Sequence, residues 1–116
     1  MPIKSKYLLV ASMDVEADRE ALFNEVYDTE HVPALLKVPG VNSVVRGIKR
    51  ELKMVIGGEL RTITFDEEPK YAALYELDSL EVLTGDVWAE AVERGRWPEQ
   101  VRPYTKNRRH ILYEIT

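Results

Sequence analysis

Cysteine is absent from this chain of 116 residues, which excludes disulfides, thiolate zinc sites and cysteine nucleophiles at the outset. Histidine is nearly as scarce. His31 and His110 are the only two, at unrelated positions, so no three-histidine metal site can be built from them. No apolar run approaches the ~20 residues that span a bilayer. The opening "MPIKSKYLLVASMD" has an apolar stretch too short for a signal peptide, and it runs straight into acidic residues. Phosphate-cradling glycine loops (GxGxxG, GxxxxGK[ST]) are missing, as are HExxH and GxSxG. A net charge of -4 argues against general affinity for nucleic acid or an anionic membrane. The expectation is a cytoplasmic protein with no nucleic-acid or membrane partner, no metal and no cofactor. One axial histidine suffices for haem, which makes His31 the candidate there, but no clustered ligand spacing supports a resident group.

What is present is ordinary in bulk and uneven in detail. Hydrophobic residues make up 45% and charged residues 31%, as in a globular protein, and the length fits one domain over 1–116. From Asp14 to Glu30 there are seven acids and a single base, Arg19; from Arg94 to Arg109 there are six bases and a single acid, Glu99. Either these are two solvated faces of opposite sign, or the basic stretch pairs with the acidic helix or borders an anion-accepting cleft.

The chain reads as one unit used twice. "KYLLVASM" (6–13) and "KYAALYEL" (70–77) are apolar runs of strand length. Helical spacing follows each: Leu22, Phe23, Val26 and Tyr27 after the first; Leu80, Leu83, Val87, Trp88 and Ala91 after the second, with Ser79 as N-cap and Gly95 as the terminating glycine. A second strand closes each half, "VNSVVRGI" (41–48) and "HILYEI" (110–115). Residues 49–68 are an insertion, a hairpin or loop turning at Gly57-Gly58. The order β-α-β-β-α-β predicts an α+β, ferredoxin-like sandwich: a four-stranded antiparallel sheet with two helices on one face and the two most apolar strands at its centre. Tyr7 to Met13 is apolar on both faces, and two helices cover only one. A second copy of the chain, packed through the sheet faces, is the expected partner.

"FNEVYDTEHVPALLKVPGV" (23–41), "PKYAALYELDS" (69–79) and "RPYTKNRRHILYEI" (102–115) together resemble the EthD-like family of the dimeric α+β barrel superfamily. The resemblance spans nearly the whole chain except 49–68. It rests on an aromatic-rich helix ending in Glu-His-x-Pro and a Pro-Gly lead-in to the second strand, although Val26 stands where members often carry an aromatic residue. It implies a homodimer whose two sheets form a barrel. Related activities include monooxygenases, lactone isomerases, polyketide cyclases and haem-handling enzymes.

The residues "YDTEHVP" (27–33) carry the candidate chemistry. Pro33 opposes the carbonyl of residue 29 and predicts that the first helix ends near His31. There the helix dipole would favour the imidazolium, with Asp28 in reach of one ring nitrogen. At about 100° per residue, Val15, Leu22, Phe23, Val26 and Tyr27 share one arc. Glu30 falls inside that arc and His31 at its rim. His31 and Glu30 are therefore the candidate catalytic pair; their alternatives are a dipole-capping histidine and a salt-bridged glutamate. Tyr27, Tyr75, Trp88 and Trp97 are the candidate substrate contacts, suited to a flat apolar, aromatic or polyketide-like ligand. His110, on a mixed strand face, reads as structural. Two functions fit: a small-molecule enzyme working by His/Glu acid-base chemistry (isomerase, cyclase or cofactor-free monooxygenase), or a non-catalytic binding module using the same cleft.

Overall fold

The computed structural model describes residues 3–116. Six strands form: β1 (Tyr7–Val15), β2 (Val41–Ile48), β3 (Leu52–Ile56), β4 (Glu59–Ile63), β5 (Tyr71–Leu77) and β6 (Thr105–Glu114). Four of them make one antiparallel sheet in the order β2-β5-β1-β6, with the two apolar strands central as the sequence predicts. The other two pair as a separate hairpin across Gly57 and Gly58, whose φ angles of 62° and 83° are the left-handed values a two-residue turn needs. The arrangement is α+β and ferredoxin-like.

Alternation along the central strands decides the faces. Leu9, Ala11 and Met13 of β1 and Tyr71, Ala73, Tyr75 and Leu77 of β5 point to the helices and are buried. Phe23, Val26 and Leu35 come down onto them from the first helical segment, and Ala91, Trp97 and Val101 from the second. Leu8, Val10, Ala72 and Leu74 lie on the opposite face, next to Val45, Ile111 and Tyr113, which are 56%, 46% and 50% exposed. No helix among the described residues covers this side.

The helices depart from the expected outline. The first does not stop at His31: α1 (Glu20–Val26) passes through a π-helical turn, Tyr27–His31, into α2 (Val32–Leu36) with Pro33 in its first turn. Proline lacks an N–H and its ring crowds the carbonyl four residues back. The chain answers by widening: the Val32 N–H bonds Tyr27 O, five residues back. In the second half, Gly85 divides the expected single helix into a tight turn (Leu80–Thr84) and α3 (Asp86–Ala91), and the Ser79 side chain makes no cap bond. A second π-helical turn, Trp97–Val101, then precedes Pro103, with the Arg102 N–H bonding Trp97 O. The two halves thus repeat one local device, a wide turn relieved ahead of a proline.

The two faces of β1 make opposite demands. Leu9→Asp buries a carboxylate without a partner and should unfold the subunit, a cost of several kcal/mol. Val10→Asp, on the uncovered face, should leave the circular dichroism spectrum and the subunit fold intact.

Candidate functional site

The two π-helical turns face each other and bring their side chains together. His31 stacks on Trp97 with ring centroids 4.2 Å apart and planes at 17°. Tyr27 meets both edge-on, at 5.0 Å from His31 and 5.1 Å from Trp97. The Tyr27 and Tyr75 hydroxyls share a hydrogen bond of 2.8 Å, and Trp88 stands edge-on to Tyr75 at 5.9 Å. These five residues line one cavity of about 210 Å³ between the helical layer and the sheet, completed by Leu9, Ala11, Met13, Leu35, Val92, Arg102, Arg108 and His110. Four predicted ligand contacts and one predicted catalytic residue therefore share a single space.

Glu30 does not join them. It lies on the outer side, where its carboxylate accepts the Arg96 backbone N–H at 2.9 Å and the Arg96 Nε–H at 2.6 Å. Those two bonds hold its carboxyl below the usual carboxylate range. Arg96 also donates to Glu25, so the basic stretch does pair with the acidic helix here. Gly95, at φ 66°, lies so close that an added Cβ would collide with Glu30 Oε1. The expected inward Glu30 and rim His31 are exchanged because the helix is not regular. The extra residue in the π turn rotates the side chains beyond it, and His31 takes the inward place that a regular 3.6-residue turn gives to Glu30.

His31 is correspondingly different from a dipole-capping imidazolium. It is 5% exposed, and burial brings its pKa down to about 4, with the positive charge of Arg102 adding to the effect and Glu93 opposing it. The ring is neutral at physiological pH. Asp28, the expected partner of a ring nitrogen, instead accepts from Arg46 at 2.7 Å. The Arg46 guanidinium lies 4.6 Å from the Tyr27 ring centroid and bonds Asn24 as well, bracing the aromatic cluster from β2. His31 Nδ1 is left without a hydrogen-bond partner, alone in this among the buried side-chain polar atoms described. Burial also pushes the Tyr27 and Tyr75 hydroxyls up, so both remain proton donors.

His110 is the residue that sequence reasoning placed elsewhere. It pairs across from Ala11 on the helix-facing side of β6 and lines the cavity, its pKa lowered by burial and by Arg108. Arg102 was also missed; the signal was its position directly before Pro103, the counterpart of Val32 before Pro33. Among the described residues no group of three or more His, Asp or Glu could hold a metal ion.

The sequence matches no protein-family model and no curated protein. Solved structures do match. One is an ethyl tert-butyl ether D (EthD) family protein from Bacillus halodurans C-125, with a TM-score of 0.58 and 15% identity over 96% of this chain and 99% of that one. Another is the haem degrader MhuD of Mycobacterium tuberculosis, solved with two haems in its active site, with a TM-score of 0.55 and 14% identity over 95% of both chains. At these identities the likeness shows a shared fold alone, the ferredoxin-like α+β arrangement described above. The EthD-like resemblance read from the sequence agrees with it.

Two measurements test this geometry. With His31 near 4 in the folded state and near 6.5 unfolded, the unfolded chain binds the extra proton between those values. His31 therefore contributes fully above pH 6.5, and its contribution is lost as pH falls toward 4, by roughly 3 kcal/mol. Subtracting denaturant-derived stabilities of His31→Phe from those of the wild type should isolate that slope from the titrating carboxylates. Separately, Gly95→Ala forces a side chain into left-handed backbone against Glu30, and the midpoint of denaturation should fall by an equivalent of roughly 1–3 kcal/mol.

Proposed function

We propose that this chain binds a small, flat, apolar or aromatic molecule in the cavity between Trp97 and β1, and moves a proton on it with His31. The observation that carries the reading is His31, buried with its Nδ1 unpartnered, in the lining of a cavity walled by aromatic rings. A buried polar atom without a partner costs about 1–3 kcal/mol, a cost that a ligand's hydrogen bond would remove. The neutral ring is ready to accept a proton from an enolisable carbon: the C–H bond breaks, its electron pair forms the enolate, and the proton goes to imidazole. Of the mutually bonded Tyr27 and Tyr75 hydroxyls, kept protonated by burial, the one that accepts their shared bond has its own proton free for the oxyanion. Return of the proton to a different carbon gives an isomerase or cyclase type of outcome. Glu30, outside the cavity, has no part in this step; its bonds to Arg96 fix the loop that carries Trp97.

One observation favours the second reading, a binding module without chemistry. A pKa of about 4 is well below the near-neutral value that suits a general base. Haem does not fit the subunit. The cavity holds about 210 Å³, little more than the ~150 Å³ that admits a single benzene ring, and a macrocycle is several times larger.

A homodimer belongs to the same reading. The uncovered sheet face is apolar, and the hairpin adds Val55 and Leu60, 65% and 71% exposed. A face of this kind in water calls for a partner, and a second identical face supplies one through a two-fold axis. No described helix is long and apolar enough to cross a membrane, and the cytoplasmic setting stays part of the proposal.

Two experiments test the reading. Aromatic ketones incubated with the protein in D2O should exchange their α-protons, and His31→Gln should slow exchange by about 10²-fold; binding without exchange would leave the module alone standing. Sedimentation should give a dimer at micromolar concentration, with Val10→Asp shifting it to monomer while His31→Gln does not.

A further inference from the structure

The basic stretch that the sequence singled out is only partly used by ion pairs. Arg96 is taken by Glu25 and Glu30, and Arg109 by Glu68. Arg102 is held by both oxygens of Glu93, at 3.1 and 2.6 Å, and donates to Val92 O at 2.9 Å, so its charge is largely matched. Arg108 has no ion pair among the described residues. It sits two residues before His110, and both line the cavity from β6. The lining holds two arginines and two histidines and not one acid, in a chain where acids outnumber Lys and Arg by 20 to 16.

We infer that the cavity selects a planar aromatic carboxylate, its ring among Trp97, Trp88, Tyr27 and Tyr75 and its carboxylate on the Arg108 guanidinium. The inference rests on the proposed small-molecule reading and adds the substrate's charge and the residue that reads it. Three features choose this class. A dry cavity of ~150 Å³ admits benzene, so about 210 Å³ admits one substituted ring. Four aromatic walls favour a flat π-face. A single unmatched guanidinium suits one carboxylate, which it can grip through two parallel N–H bonds, whereas a dianionic phosphate would need further donors.

The test compares 4-methylbenzoate with its neutral isostere 4-methylbenzamide by isothermal titration calorimetry. Shifts of the Trp88 and Trp97 indole N–H resonances report that binding occurs in this cavity. The wild type should bind the acid at least about tenfold tighter than the amide, as expected for a charge-assisted bidentate contact. Arg108→Gln, an exposed edge-strand change that leaves the core untouched, should bring the two ligands within about twofold of each other. Arg108→Lys should retain part of the preference, since it keeps the charge and loses the fork. Equal affinity of the wild type for acid and amide would overturn the inference while the cavity reading stands. A preference undiminished in Arg108→Gln would overturn the role of Arg108. If neither compound shifts the indole resonances, the small-molecule reading itself falls.

Discussion

Two prolines set the geometry on which the rest depends. Pro33 and Pro103 each follow a residue whose N–H reaches back five positions instead of four, and each leaves a widened turn on its N-terminal side. Those turns carry Tyr27, His31 and Trp97. Had both segments been regular helix, the ring of His31 would lie at the rim and Glu30 would press a carboxylate on the sheet. The wide turn instead sends an uncharged ring inward and the acid outward, which is the arrangement a low-dielectric layer tolerates. The stack of His31 on Trp97 is thus where the helical segments of the two halves meet above the paired strands.

That stack explains how charge is distributed around it. Outside, Glu30 receives both a backbone and a side-chain N–H of Arg96, and this ties the Gly95–Trp97 loop to the end of the first helical segment. Inside, the only titratable groups on the cavity wall besides the tyrosines are His31, His110, Arg102 and Arg108. The acidic and basic stretches meet through Arg96 and separate again, leaving the interior side positive. Charge runs that look like solvated surface in the sequence act as a latch on one side of Trp97 and as a lining on the other.

Short apolar runs of strand length made the sheet legible. Tyr7 to Met13 and Tyr71 to Leu77 announced central strands, and the Gly57-Gly58 pair announced a tight turn, because both signals are local and independent of packing. The aromatic residues Tyr27, Tyr75, Trp88 and Trp97 could be picked out too, on a predicted helix, strand or loop, and the structure brings all four to one cavity. The exchange of Glu30 and His31 was not. A helical projection assumes constant twist, and nothing in the residues warns of an added one except Pro33, which reads as a stop and not as a cause of widening. His110 and Arg108 were missed for a different reason. Their strand face looks mixed along β6, and only the partner residues Leu9, Ala11 and Met13 across β1 turn that face into a cavity wall.

Structures with 15% and 14% identity share this fold, so the fold places weak demands on residue identity and strong ones on pattern. The site is the reverse. Stacking fixes the His31 ring, burial keeps it neutral, and one of its nitrogens stays without a partner; each condition depends on a particular neighbour, Trp97, Tyr27 or the turn before Pro33. An apolar ring in place of His31 would stack equally well and leave no orphaned nitrogen, so packing alone does not account for a histidine there. What distinguishes it from such a ring is the lone pair or N–H it can offer inside the cavity. Under the proposed reading, stability and ligand binding therefore pull in opposite directions at this one position, as an unsatisfied group does where a structure is arranged for a ligand.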